Sequence, residues 1–139
     1  MDNHSSVKQN TFYAIGLSYK KADAEIRGKF SLDENAKTNL LEQAKTNGVE
    51  SLIVTSTCNR TEIYGFAQHP FQLIQLLCDN SQGSLEEFQN YAYVYKQKEA
   101  LNHLFRVGTG LDSQILGDFE IIAQLKNAFV ESKKLNLAN

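Results

Sequence analysis

The order of apolar patterns along the chain predicts an α+β fold, namely a ferredoxin-like β-α-β-β-α-β sandwich followed by two C-terminal helices. Three observations support this prediction. Four strand-like apolar runs occur at residues 11–19, 49–57, 62–67 and 91–96. Capping patterns mark the start of a helix between the first two runs and again between the last two. The link between the second and third runs is short, which requires antiparallel pairing, and this order of elements is that of the ferredoxin-like fold.

The first strand and the first long helix carry clear local signals. Residues 11–19 are apolar on both faces, which is typical of a strand in the middle of a sheet. A short helical turn is expected around residues 22–26. Ser31 and Glu34 form a capping-box pattern, which predicts a helix that ends at Asn47-Gly48. The apolar face of this helix consists of Ala36, Leu40, Leu41 and Ala44.

Similar signals order the second half of the chain. Pro70 begins a helix at the position where its missing N–H costs nothing. Ser84 and Glu87 form a second capping box before the fourth strand. The first C-terminal helix is expected over about residues 99–115, interrupted by Gly108 and Gly110. The second is expected to start near residue 118, with an apolar stripe made of Ile121, Ile122, Leu125 and Phe129.

Composition excludes several classes of protein. A chain of 139 residues with 42% hydrophobic and 22% charged residues suits one globular domain, with residues 1–10 polar and expected to be disordered. A formal net charge of −2 predicts no DNA partner, and any RNA contact requires a local basic patch. Two cysteines in different settings and three scattered histidines predict neither a disulfide framework nor a metal site. No apolar run is long enough for a signal peptide or a membrane span, so no membrane partner and a cytoplasmic location are expected.

The stretch best suited to chemistry surrounds Cys58, at the end of the second strand. A thiol reacts as its thiolate, so a nucleophilic cysteine needs a positive neighbour or a set of donors. If the chain stays extended, Arg60 projects on the same side as Cys58. It can then stabilise a thiolate or bind a substrate carboxylate with its planar fork of donors. Thr57 and Asn59 can donate hydrogen bonds to a polar substrate, and no second cation lies near Cys58 in the sequence.

Each candidate also has a structural interpretation. Cys58 can be a small buried hydrophobic residue, as free cysteines often are, and Cys78, within an apolar helical pattern, is interpreted in that way. His103 can be a satisfied surface histidine, although on an uninterrupted helix it shares an indented polar face with Gly110 and Gln114. Other polar groups have an ordinary structural role available as well: Asp118 as a helix N-cap, Glu120 and Gln124 as an exposed stripe, and Lys20, Lys21, Arg27 and Lys29 as a solvated face or as phosphate contacts to RNA.

Three stretches occur in an order that points to a known family. The first joins Gly16-Leu17-Ser18-Tyr19-Lys20 with Glu25-Ile26-Arg27, the second is Ser-Thr-Cys-Asn-Arg-Thr-Glu-Ile-Tyr at residues 56–64, and the third extends over residues 103–117. Together they resemble the signatures of glutamyl-tRNA reductases, the enzymes that open the five-carbon route to tetrapyrroles. The resemblance covers about residues 12–134, essentially the whole chain.

The resemblance implies the same fold and a defined chemistry. Cys58 would attack the ester that joins glutamate to the tRNA, giving a glutamyl thioester and free tRNA. Arg60 would hold a substrate carboxylate, and His103 would orient the substrate or assist proton transfer to the leaving ribose oxygen. The further substrate-contacting positions that it implies are Ser113, Asp118, Phe119, Glu120 and Gln124. The family usually has Glu-Pro-Gln where this chain has Asp-Phe-Glu at residues 118–120.

The resemblance also implies what this chain leaves to other domains. Residues 1–139 would be a single catalytic, glutamyl-tRNA-binding domain. NADPH would bind a separate Rossmann domain, and a C-terminal helical domain would form a homodimer. This chain contains no Gly-rich dinucleotide fingerprint, so it is expected to hydrolyse glutamyl-tRNA slowly rather than reduce it. Two alternatives are a redox-independent cysteine hydrolase and a non-enzymatic RNA-binding module that stacks bases on Tyr13, Tyr19, Tyr93 and Tyr95.

Overall fold

The computed structural model describes residues 10–107 and 113–138, except for the side chains of residue 118 and residues 132–138. The elements are β1 (Thr11–Ser18), α1 (Ala24–Lys29), α2 (Glu34–Thr46), β2 (Leu52–Ser56), β3 (Arg60–Ala67), α3 (Pro70–Asp79), α4 (Leu85–Tyr91), β4 (Tyr93–Lys96), α5 (Lys98–Val107), β5 (Gln114–Leu116) and α6 (Asp118–Ala138). The predicted α+β class is confirmed. Within these ranges, no helix combines the length and apolar character needed to cross a membrane. Disorder is predicted for residues 1–10, and all of these except Asn10 lie outside the described part.

The described strands form one antiparallel sheet in the order β4-β1-β3-β2-β5. β1 pairs with β3 on one side and with β4 on the other, so the Thr11–Ser18 strand lies inside the sheet as its two apolar faces predict. β3 in turn pairs with β2. β4 pairs with the other side of β1 and forms one edge of the sheet. β5 pairs with β2 and forms the opposite edge.

Helices cover both faces of the sheet. Successive β1 side chains point to opposite faces, so β1 contributes to a core on each side. Tyr13, Ile15 and Leu17 belong to a core cluster that includes buried residues of α2, α3 and α4. Phe12 and Ala14 belong to a second cluster that includes buried residues of α5 and α6. The candidate functional groups described below lie on the α5 side and at the end of the sheet where β2 turns into β3.

Most local helix signals are confirmed, and one is wrong in detail. Pro70 is the first residue of α3, and the Ser84–Glu87 capping box opens α4. The helix α2 ends at Thr46 with Asn47 as its C-cap, followed by Gly48 with a φ of 84°. Its N-cap is Asp33 and not Ser31: the Asp33 carboxylate accepts from the Ala36 amide at 2.8 Å. The Ser31 hydroxyl instead donates to the Gly28 carbonyl at the end of α1.

The prediction of one helix over about residues 99–115 is wrong at its C-terminal end. The helix α5 ends at Val107, and Gln114 lies in the short strand β5. The Gln114 side chain donates to Glu34 on α2 at 2.7 Å, so it does not share a face with His103. Pairing with β2 overrides the local helical pattern because an edge strand gains ladder hydrogen bonds that a lone sequence window does not reveal. Gly108 and Gly110 lie outside the described residues.

The predicted apolar stripe of α6 is only partly buried. Ile121 is 1% exposed and Leu125 packs against the second core cluster. Ile122 is 56% exposed. Phe129 is 40% exposed and contacts Phe105 of α5 edge to face, with ring centroids 5.7 Å apart. The side of α6 that carries Ile121 and Leu125 therefore holds this helix against the sheet.

Candidate active site

The Cys58 turn, defined as residues 57–60, connects β2 to β3 and places Cys58 at the surface. Cys58 is exposed and forms no disulfide. The Thr57 amide donates to the Arg60 carbonyl at 2.8 Å. Thr57 Oγ1 accepts from the amides of Asn59 and Arg60 at 3.2 and 3.3 Å, as hydroxyl side chains commonly do in tight turns. The interpretation of Cys58 as a buried hydrophobic residue is therefore wrong, since Cys58 is exposed to solvent.

A second set of hydrogen bonds ties the Cys58 turn to the end of β1 and to α1. The Tyr19 amide donates to the Asn59 carbonyl at 2.9 Å. The Arg27 guanidinium donates through Nε to the Cys58 carbonyl at 3.1 Å and through Nη1 to the Ala22 carbonyl at 2.7 Å. Arg27 is thus a second cation next to the Cys58 turn. The sequence analysis did not identify it because Arg27 lies 31 residues before Cys58. Its place in the first family-like stretch was the signal that could have found it.

Arg60 begins β3 and is directed toward Glu62, two residues further along the same strand. Its Nη1 lies 3.4 Å from Glu62 Oε2, and its side chain is 18% exposed. The two residues share a face because side chains alternate along a strand. The same alternation cannot be extended back to Cys58, since the chain is turned there by the Thr57–Arg60 hydrogen bond. Arg60 is therefore reachable from solvent while one of its donors is held by a carboxylate.

Five side chains form what we call the Glu62 network: Arg60, Glu62, Tyr64, Tyr93 and His103. Glu62 is fully buried. Its Oε1 accepts from the Tyr64 hydroxyl at 2.6 Å, and its Oε2 accepts from the Tyr93 hydroxyl and lies 2.6 Å from His103 Nε2. A buried carboxylate needs such donors because desolvation without them is very costly. Sequence analysis missed Glu62, although the alternation of β3 places Arg60, Glu62 and Tyr64 on one face.

Gly16 provides the space in which the Glu62 network forms. In the sheet it pairs with Glu62 on one side and with Tyr93 on the other. A Cβ at this position would lie 2.2 Å from the carbonyl oxygen of Thr61 and 2.9 Å from Glu62 Cγ. The missing side chain therefore lets the Tyr93 hydroxyl reach the Glu62 carboxylate across β1.

His103 is buried at the centre of an aromatic group, so its interpretation as a surface histidine is wrong. It is 6% exposed, and its ring centroid lies 5.1 Å from that of Tyr93 and 4.8 Å from that of Tyr95. A carboxylate can only accept, so we assign a proton to His103 Nε2 in its hydrogen bond to Glu62. His103 Nδ1 has no partner among the residues that the structure describes.

The two tyrosines of the network, the buried Tyr64 and the partly buried Tyr93, have raised pKa values. Burial is the larger cause for both the Tyr64 and the Tyr93 pKa, and the negative charge of Glu62 adds to it. A raised pKa in the folded state means that the unfolded chain loses its tyrosine protons first. The resulting stability is therefore complete below the unfolded pKa of about 10 and is lost as pH rises above it.

We expect the free energy of unfolding to fall above about pH 10, with Tyr64 and Tyr93 each contributing up to about 1.4 kcal/mol per pH unit. Urea denaturation between about pH 9 and pH 11 measures this slope. Tyr64→Phe should make the slope shallower. Tyr19→Phe is the matched control, because Tyr19 is 54% exposed and should leave the slope unchanged. Equal slopes in all three proteins would contradict the assignment.

The structure brings only some of the predicted substrate-contacting residues to the Cys58 turn. Ser113 directly precedes Gln114, which pairs with Val54, so Ser113 lies toward the Cys58 end of β2. Its buried hydroxyl has no hydrogen-bond partner within the described ranges. Gln124 instead accepts from the Ser51 hydroxyl at 2.6 Å, next to the other end of β2. Ser51 and Ser56 are separated by roughly 16 Å along the strand, at ~3.3 Å per residue.

The residues between Ser113 and Gln124 follow β5 away from the Cys58 turn. Phe119 is 90% exposed and Glu120 is exposed. Asp118 is the first residue of α6, and its side chain lies outside the described part. The structure does not bring these positions to Cys58, and their contact with substrate stays a prediction.

With respect to the residues that the structure describes, the basic cluster after β1 divides into paired and unpaired groups. Lys29 Nζ lies 2.6 Å from Glu87 Oε2, and Arg27 is bonded to two carbonyls. Lys20 and Lys21 are exposed next to Tyr19. A phosphate contact from this cluster therefore falls to Lys20 and Lys21. In the described part of the chain, no three His, Cys, Asp or Glu side chains are close enough to hold a metal ion.

Comparison with known proteins assigns this arrangement to a family. Residues 15–139 match the family model described as "Glutamyl-tRNAGlu reductase, N-terminal domain". The chain belongs to the glutamyl-tRNA reductase family. Family members similar to it include "Glutamyl-tRNA reductase" of Flavobacterium psychrophilum, which is 76% identical over the whole chain, and "Glutamyl-tRNA reductase 2" of Flavobacterium johnsoniae, which is 68% identical over the whole chain. The chain spans 34% and 32% of these two relatives, about a third of their length.

A more distant reductase shares the fold. "Glutamyl-tRNA Reductase from Methanopyrus kandleri" matches 90% of this chain and 29% of its own, with a TM-score of 0.53 and 26% identity. The family resemblance drawn from the three stretches is thus confirmed.

Proposed function

We propose that this chain is the catalytic, glutamyl-tRNA-binding domain of a glutamyl-tRNA reductase, with Cys58 as its nucleophile. The single observation that carries the proposal is the exposed thiol in a turn held by two arginines. The Arg27 guanidinium donates to the Cys58 carbonyl, and the Arg60 carbonyl accepts from the Thr57 amide. The Arg60 side chain is 18% exposed and so partly open to solvent. An exposed thiol can reach an electrophile, and the thiolate is its reactive form.

The proposed reaction is one acyl transfer. The Cys58 thiolate attacks the carbonyl carbon of the ester that joins glutamate to the tRNA 3′ end, and a carbon–sulfur bond forms. The carbon–oxygen bond to the ribose then breaks, and the ribose oxygen takes a proton equivalent to the one that the thiol lost. The products are a glutamyl thioester on Cys58 and free tRNA. A cysteine thioester divides one difficult step into two easier ones.

The substrate offers one carboxylate for recognition. In an esterified glutamate the α-carboxyl is consumed by the ester bond, so the side-chain carboxylate is the one negatively charged group that the amino acid keeps. Arg60 would bind this group with its remaining donors, because a guanidinium fork matches a carboxylate. Thr57, Asn59 and Ser113, which lie at or near the Cys58 turn, would bind other polar groups of the substrate.

The second half of the reaction would depend on NADPH. Hydride transfer to the thioester would release glutamate-1-semialdehyde, a precursor of tetrapyrroles. We propose that NADPH binds in another domain of the full-length protein and that the full-length protein is a cytoplasmic homodimer. The length of the relatives, about three times that of this chain, supports the existence of such domains. The chain alone would pass the glutamyl group slowly to water.

We also propose that β1 to β4 form a ferredoxin-like core to which β5 is added. The order β4-β1-β3-β2 and the antiparallel pairing of all neighbours support this assignment. The same architecture weighs against an RNA-binding module that stacks bases on the sheet. Helices cover both faces, Tyr13 is 7% exposed, and Tyr93 and Tyr95 pack against His103.

Intact-mass measurement after incubation with glutamyl-tRNA tests the acyl transfer. We expect the mass to increase by one glutamyl group, and fragmentation to locate that group on Cys58. Cys58→Ser should abolish the thioester because a hydroxyl is a far weaker nucleophile.

Cys78→Ser is the matched control and should keep the adduct. Cys78 is partly buried on α3, and burial raises the pKa of its thiol, so it reacts poorly. Absence of an adduct on the unmodified chain would overturn the proposed function, and an adduct that persists in Cys58→Ser would overturn the choice of nucleophile.

A further inference from the structure

His103 is too enclosed to meet a substrate in this arrangement. Its Nε2 is taken by Glu62 Oε2 at 2.6 Å, and its Nδ1 is buried without a partner in residues 10–107 and 113–131. Rings of Tyr64, Tyr93 and Tyr95 pack around the imidazole, with centroid distances of 6.2, 5.1 and 4.8 Å. A direct proton transfer from His103 to a ribose oxygen would need these rings to move.

The Glu62 carboxylate connects the buried His103 to the partly exposed Arg60. Glu62 Oε2 lies 2.6 Å from His103 Nε2 and 3.4 Å from Arg60 Nη1, so the same oxygen contacts both groups. Glu62 is 0% exposed and the His103 side chain 8%, whereas the Arg60 side chain is 18% exposed. Among these three residues, only Arg60 is appreciably open to a ligand.

We propose that His103 and Glu62 are positioning residues that orient the Arg60 guanidinium for the side-chain carboxylate of the glutamyl group. This inference rests on the proposed function. In this arrangement His103 donates to Glu62 and keeps its carboxylate in one orientation. Glu62 in turn holds Nη1 of Arg60 and leaves the other guanidinium donors for substrate.

The consequence of this arrangement is selectivity between an acid and its amide. A guanidinium held in place forms two parallel charge-assisted hydrogen bonds with a carboxylate, and a neutral glutaminyl amide can accept only part of them. Sites built on fixed polar partners discriminate strongly, because a wrong substrate leaves those partners unpaired. A guanidinium released from Glu62 would adopt several rotamers and lose much of this discrimination.

The test compares the rate of Cys58 acylation by glutamyl-tRNA and by glutaminyl-tRNA made on the same tRNA. In His103→Gln an amide N–H can replace the Nε2 donor, but the side chain cannot transfer a proton near neutral pH. We expect this variant to keep the wild-type preference for glutamyl-tRNA within about threefold. His103→Leu lacks the donor and should lower the preference by about tenfold or more, mainly by raising the KM for glutamyl-tRNA.

Two further variants keep the test decisive if His103→Leu fails to fold. Glu62→Gln preserves the shape of the side chain but removes the charge that holds Arg60, and the preference should fall by about tenfold or more. Tyr95→Phe is the matched control, because it keeps the ring beside His103 and leaves the bonds to Glu62 intact, so the preference should not change.

The outcomes separate this inference from the proposed function. An unmodified chain that forms no Cys58 adduct would overturn the proposed function itself. Loss of acylation of both substrates in His103→Gln, with the preference unchanged in Glu62→Gln, would overturn the positioning role. That result would instead identify proton transfer as the role of His103.

Discussion

Replacing Glu62 with alanine is expected to destabilise the chain by about 3–5 kcal/mol, a large part of the stability of a domain this size. The carboxylate accepts from two tyrosine hydroxyls and contacts His103 and Arg60, and all four groups would lose their partner together. Buried donors without an acceptor carry their full desolvation cost. Urea denaturation followed by circular dichroism measures the change.

Glu42→Ala is the control for this loss. Glu42 is exposed on α2, so its removal should change the free energy of unfolding by no more than about 0.5 kcal/mol. Glu62→Gln should fall between the two variants, because an amide oxygen still accepts from a tyrosine but carries no charge for Arg60. If Glu62→Ala were as stable as Glu42→Ala, the Glu62 network would not contribute to the fold.

Gly16→Ala is expected to cost about 3 kcal/mol. The new Cβ would lie 2.2 Å from the Thr61 carbonyl oxygen and 2.9 Å from Glu62 Cα. Both atoms belong to the backbone of β3, which cannot move aside without loosening its pairing with β1. Forcing extra volume into a packed site typically costs 1–3 kcal/mol, and a backbone clash lies at the upper end. The urea midpoint at an unchanged slope reports the loss.

Gly28→Ala is the matched control for Gly16→Ala. Gly28 lies in α1, and a Cβ there would meet no atom within 4 Å. Alanine is the better helix former, so this variant should be neutral or more stable by about 0.5–1 kcal/mol. A Gly16→Ala variant that matched Gly28→Ala in stability would show that β1 and β3 have more freedom at Gly16 than the register indicates.

The sequence predicted features whose cause is local. Pro70, the Ser84–Glu87 pair and Asn47-Gly48 act on backbone groups within a few residues, and all three marked helix ends as predicted. The short link after Cys58 predicted the antiparallel pairing of β2 and β3. Asp33 replaced Ser31 as the N-cap because both residues carry a suitable side-chain oxygen and lie two positions apart, and only geometry decides between them.

Interactions across the sheet were not predictable in the same way. The segment that forms β5 was predicted to be helical. Its strand structure depends on pairing with β2, which brings together segments about sixty residues apart in the chain. Arg27 reaches Cys58 across 31 residues, and His103 reaches Glu62 across 41. No periodicity within a short window carries such information.

By itself the sequence determined the family and the α+β class and predicted Cys58 as the nucleophile, because these depend on residue identities and on spacings within one or two elements. Only the tertiary structure decided that Glu62 is the buried centre of a polar network, that Arg27 bonds the Cys58 carbonyl, and that His103 faces a carboxylate. The physical reason is that a buried charge is stable only with donors close in space, and β3, β4 and α5 supply them from distant parts of the chain.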